Sequence, residues 1–87
     1  MDPRTEFVCQ AAFPSARVFP ASELAPEWIG TAIELGRTTY VVYQMDTDDW
    51  NLDAIDQDGD CTAETHATLA ACLGAILAVH VAATFEV

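Results

Sequence analysis

Residues 65–85 form a run of 21 positions without a single Asp, Glu, Lys or Arg. As a continuous helix such a run extends about 30 Å, enough to span a bilayer core. Its surface has to be covered by the rest of the chain, by a second copy or by lipid. Lipid is the poorest match. His66 and His80 interrupt the run, alanine dilutes it, and its flanks are Glu64 and Glu86, where basic anchors belong. The expectation is a buried helix and no membrane association.

Thr62 is the predicted N-cap of that helix, with Glu64 in the first turn, where a carboxylate suits the positive end of the helix dipole. At 3.6-residue spacing, His66, Leu69, Leu73, Ile76, Leu77 and His80 share one side. The neighbouring side is small, with Ala67, Ala70, Ala71, Gly74, Ala75, Ala78 and Ala82. A ridge of small side chains admits close approach, so this Ala/Gly face is the expected contact of a homo-oligomer. With both sides apolar, the helix is expected to be enclosed on most sides. From Val79 to the end, alternation also fits a strand, and no Gly or Pro separates the two readings.

The clearest strand signal is residues 38–45, dense in β-branched and aromatic side chains. Thr39, Val41, Tyr43 and Met45 point one way and Thr38, Tyr40, Val42 and Gln44 the other, so both faces carry large groups and a central strand is predicted. Gly36 and Arg37 before it read as a two-residue hairpin turn, with Gly36 at the position needing positive φ. Further back, residues 1–5 are expected to fray and residues 6–13 to form a first strand. Pro14, Pro20 and Pro26 punctuate a connecting region that admits a short helical turn at Ser22–Glu23. The sum is one 87-residue α+β domain: a small antiparallel sheet packed against one long C-terminal helix.

Between hairpin and helix the chemistry changes. Residues 46–60 hold seven aspartates (Asp46, Asp48, Asp49, Asp53, Asp56, Asp58 and Asp60), with Trp50, Leu52, Ala54 and Ile55 interspersed. Asp and Gly oppose regular structure, so an acidic loop with apolar footholds is expected. The whole chain carries a formal charge of -11, from fourteen acids and three arginines. A field of that sign repels phosphate backbones and anionic lipid, which argues against direct nucleic-acid binding, and it attracts a basic protein surface. A saline environment is the other source of such acidity. The candidate interaction residues are Asp46, Asp48, Asp49, Trp50, Asp53, Asp56, Asp58 and Asp60, with Trp50 as anchor. One form of such a protein is an inhibitor whose carboxylates mimic nucleic acid.

Motifs for catalysis or cofactors are faint, and neither an enzyme activity nor a cofactor is expected. The stretch 56–60 alternates aspartates as calcium loops do, but with Asp56 first, Cys61 stands where the loop needs glycine and Ala67 where it needs glutamate. With Gly59 at the glycine position, Ala54 comes first. A weak divalent-cation site there is a lesser alternative. On one helix His66 and His80 lie about 20 Å apart and cannot share a metal. Glu64 and His66, two apart, diverge on a helix, leaving Asp58 or Asp60 as partners for His66. A small enzyme would have to use His66 or His80 with an aspartate, or Cys61 beside His66. Cys9, Cys61 and Cys72 are odd in number and form no CxxC, which suits a reducing cytoplasm; one disulfide from Cys9 to Cys61 or Cys72 is the minor alternative.

Overall fold

The computed structural model of the chain describes the backbone of residues 3–85 and the side chains of residues 4–79. In order come α1 (Pro3–Ala12), β1 (Arg17–Pro20), a 3-10 turn (Ala21–Glu23), β2 (Thr31–Leu35), β3 (Thr38–Asp46), β4 (Asp49–Ile55), β5 (Cys61–His66) and α2 (Leu69–Phe85). The strands form one antiparallel meander, β1-β2-β3-β4-β5. This is the expected α+β architecture of a small antiparallel sheet against a long C-terminal helix. A second helix, α1, joins α2 on the same face of the sheet.

The predicted hairpin and central strand are present. Leu35 pairs with Thr38 around Gly36 (φ 64°) and Arg37, and only the first central residue is positive, as in a type II′ turn. On β3, Val41 and Val42 are both fully buried although they face opposite ways. Val42 joins Ile33, Leu52, Cys9, Phe13, Cys72 and Ile76 in the core beneath the helices, and Val41 joins Phe19, Ala21 and Ala32 on the other face. The short turn expected at Ser22 is also there.

Residues 6–13 are not a strand; α1 occupies this segment. Pro3 opens the helix where its missing N–H is no loss. Cys9 and Phe13, four apart, both reach the core, while Phe7 stays 76% exposed. A strand reading would have placed Phe7, Cys9 and Phe13 on one face; the helical turn separates Phe7 from the other two. Gln10 then finishes the helix, its side-chain amide donating to the carbonyls of Phe13 (3.1 Å) and Ala16 (3.0 Å) across Pro14, which brings no N–H of its own.

The acidic loop expected at residues 46–60 is instead largely β4. Trp50, Leu52 and Ala54 alternate onto the helix-covered face, in register with Gln44, Val42 and Tyr40. A full ladder on both sides of β4, together with that burial, outweighs the poor strand propensity of aspartate. Only the two ends of the segment remain turns.

The helix does not begin at Thr62. Residues 61–66 form the edge strand β5, and α2 starts after Thr68, whose Oγ1 accepts the N–H of Ala71 (3.1 Å) as an N-cap does. Thr62 and Thr65 suit a pleated edge paired on one side to β4. The ambiguity from Val79 onward resolves as helix through Phe85; residues 86–87 lie outside the described part, as do the first two and the His80 side chain.

Leu69, Cys72, Leu73 and Ile76 supply the inward side of α2. The Ala/Gly ridge divides: Ala75 packs against the core, while Ala70, Gly74 and Ala78 are exposed and a Cβ placed on Gly74 would meet nothing within 4 Å. The helix is therefore not enclosed on most sides by its own chain. Among the described residues no helix is long and apolar enough to cross a membrane.

Candidate binding site

The aspartates of residues 46–60 separate into three places. Asp46, Asp48 and Asp49 sit at the β3–β4 turn, Asp56, Asp58 and Asp60 at the β4–β5 turn, and Asp53 in mid-strand between them. The length of β4 puts the two turns about 20 Å apart. They do not form one contiguous patch.

Within each turn the carboxylates differ in what they do. Asp56 Oδ1 accepts the N–H groups of Asp58 and Asp60, both at 2.9 Å, and its backbone pairs with that of Asp60, so it builds the turn that Gly59 (φ 86°) closes. Asp46 Oδ1 likewise accepts the N–H of Thr47 at 2.8 Å. Asp49 keeps one buried oxygen without a hydrogen-bond partner among the described residues. By contrast, the side chains of Asp48, Asp58 and Asp60 are exposed and make no hydrogen bond or ion pair with any described residue. Cations are spent elsewhere: Arg17 lies 3.9 Å from Glu23 and 3.8 Å from Glu34 and covers the Phe19 ring at 4.4 Å, while Arg37 donates to the Gln57 amide oxygen at 3.2 Å.

Trp50, the expected anchor, points to the helix-covered face and packs partly buried against the core. Thr5, Thr31, Gln44 and Trp50 contribute to a cavity of about 170 Å³ there. It shares no surface with the acidic turns' outward carboxylates.

The larger concavity, about 330 Å³, opens on the other face of the sheet, lined by Glu27, Trp28, Ile29, Tyr43 and Asp53. Its position follows from the chain path. After the 3-10 turn the chain crosses this face, and it re-enters the sheet at Gly30, where the Ala21 N–H meets the Gly30 carbonyl at 3.0 Å. Gly30 has φ 94°, and a Cβ on it would lie 2.2 Å from the Val42 carbonyl oxygen and 2.6 Å from Tyr43 Cβ. Only glycine allows residues 27–29 to lie down beside Tyr43. Trp28 and Tyr43 both pack on the Phe19, Ala21, Ala32 and Val41 cluster. Asn51 Nδ2 donates to the Tyr43 hydroxyl at 2.8 Å and Thr65 donates to Asn51 at 3.3 Å, which orients the ring.

Asp53 forms the floor. It stands in register between Val41 and Ala63, and its carboxylate has no hydrogen bond or ion pair with any described residue. Burial raises its pKa above the usual carboxylate value.

The remaining candidates are dispersed. His66 ends β5 with Nε2 2.9 Å from Glu64 Oε1, because two residues apart on a strand share a face, whereas on the expected helix they diverge. All three cysteines are free thiols, Cys9 and Cys72 in the core and Cys61 exposed. Burial, then the neighbouring Cys72, then Glu6 push the Cys9 thiol up to about 11; burial and Glu64 also raise Cys72. Buried thiols held protonated are poor nucleophiles. Among the described residues no three His, Cys, Asp or Glu side chains converge as metal ligands.

The fold and the cleft thus define a small α+β protein with an acid-floored aromatic concavity on its helix-free face. Comparison with known proteins finds no matching family model, no matching curated protein and no matching solved structure. The cleft was missed in the sequence because Trp28 sits in a proline-punctuated connection. The one local signal was Gly30 following Pro-Glu-Trp-Ile just ahead of a strand.

Proposed function

We propose that this protein is a non-enzymatic acidic interaction module that binds a basic protein surface. The observation that carries the reading is the set of exposed carboxylates at both ends of β4 (Asp48 at one turn, Asp58 and Asp60 at the other) without partners among the described residues, in a chain of net charge -11. Such charges steer an oppositely charged partner and set its orientation. A nucleic-acid-binding groove, built to neutralise phosphates, is one surface of this kind, and occupying it would make the protein an inhibitor by mimicry. We place it in the cytoplasm, where three unpaired thiols persist.

The test uses an arginine- and lysine-rich peptide as the basic probe. Its affinity is expected to fall steeply with salt, and the triple variant Asp48→Asn, Asp58→Asn, Asp60→Asn should weaken binding and flatten that salt dependence. Salt-independent binding, or a triple variant that binds like the parent, rejects the reading.

A second reading, homo-oligomerisation, is supported by the outward ridge of α2, where Leu77 is 53% and Val79 58% exposed beside Ala70, Gly74 and Ala78. Sedimentation of the parent against a Gly74→Glu variant tests it: the parent should be the larger species.

A further inference from the structure

We infer that the cleft between Trp28 and Tyr43 is a binding site for a methylated ammonium group, free or on a lysine side chain. The inference goes beyond the acidic turns and does not depend on them, since none of their residues lines the cleft.

The lining selects the chemistry by elimination. Two aromatic rings attract a cation through their negative faces. Ile29 adds an aliphatic wall, which matches methyl groups and offers nothing to N–H donors. Glu27 and Asp53 supply negative charge, and neither side chain has a hydrogen bond or ion pair to any described residue. Anions are repelled by both carboxylates. A bare calcium or magnesium ion asks for six or more oxygen ligands, which two carboxylates and a phenol do not provide. A guanidinium can pair with the carboxylates, but those of its five N–H donors turned toward Ile29 and the ring faces would find no acceptor. A neutral ligand leaves Asp53 uncompensated. A quaternary or trimethylated ammonium satisfies every wall: charge for the carboxylates, polarised methyl groups for the rings and for Ile29.

The site is also preformed. Trp28 and Tyr43 are held on the buried Phe19–Val41 cluster, Tyr43 is oriented by Asn51, and Gly30 presses residues 27–29 against β3. Rings fixed before the ligand arrives lose little freedom on binding. The cavity of about 330 Å³ sits at the lower end of small-molecule sites, consistent with one headgroup.

The experiment is a fluorescence titration in a Trp50→Phe background, where Trp28 is the sole tryptophan, at constant ionic strength. Choline is compared with 3,3-dimethylbutan-1-ol, its neutral isostere. Choline is expected to quench saturably and to bind at least about tenfold tighter than the alcohol. Asp53→Asn should weaken choline about tenfold without weakening the alcohol. Trp28→Leu, followed by ligand-observed NMR and checked for folding by circular dichroism, should abolish binding. Equal affinity for choline and the alcohol, no saturation by roughly 100 mM, or an unaffected Asp53→Asn overturns the proposal. A short peptide bearing trimethyl-lysine, set against its unmodified twin, separates the sources: binding tighter than choline assigns the group to a protein partner, and binding no tighter assigns it to a small molecule.

Discussion

Asp46 and Asp49 are register partners that close the β3–β4 hairpin, and one oxygen of Asp49 is buried without a hydrogen-bond partner among the described residues. Like charges directly across a sheet are destabilising. Asp49→Asn is therefore expected to raise the unfolding free energy at low salt by about 0.5 kcal/mol, and the gain should shrink toward zero in 1 M salt, where screening acts over about 3 Å. Urea unfolding at the two ionic strengths checks it.

Gly30 and Gly59 both have positive φ, but their surroundings differ. Around Gly59 there is open space within 4 Å, whereas a side chain on Gly30 runs into β3. Gly59→Ala should cost about 1–2 kcal/mol from backbone strain alone. Gly30→Ala should cost more than about 3 kcal/mol and open the Trp28 cleft. Chemical denaturation ranks the two, and Trp28 emission reports the cleft.

Thr68, not Thr62, caps α2. Thr68→Ala should cost about 1 kcal/mol, and Thr62→Ala, on the exposed edge strand, no more than about 0.5 kcal/mol. A reversed order would return the helix start to Thr62.

Asp53 has its pKa raised by burial, so its ionised form opposes folding. As pH rises past the ordinary carboxylate value, the unfolded chain releases this proton before the folded one does. The native state loses stability from that pH up to the folded pKa and bears the full cost at neutrality. Asp53→Asn should accordingly raise the melting temperature at pH 7, with the gain vanishing below about pH 3. Melting curves at both pH values decide it.

With the Cys9 thiol at about 11, roughly one in a thousand such groups is thiolate at pH 8. A thiol reagent should therefore modify only Cys61 in the native protein and all three cysteines in denaturant, as read by intact mass.

What was legible beforehand was whatever local chemistry dictates. The Gly36–Arg37 hairpin could be read because only the glycine relieves a positive φ there, and β3 because its large side chains alternate on both faces. The uncharged run at residues 65–85 announced a helix, though its first four positions belong elsewhere. Two segments misled for one reason. Aspartates weaken the strand signal of β4 and the exposed β5 buries little of its own, and each becomes a strand through a neighbour that completes its hydrogen bonds.

By itself the sequence determined the fold class, the central hairpin and the sign of the electrostatic field, since these follow from residue periodicity, turn chemistry and charge count. Tertiary structure alone decided that the aspartates divide between two turns and a cleft floor, that Trp50 packs against the core, and that Trp28, Tyr43 and Asp53 line one cleft. Those juxtapositions join residues ten or more positions apart, and they come into being only when the meander stacks its strands and the connection from Ala21 to Gly30 lies down across them.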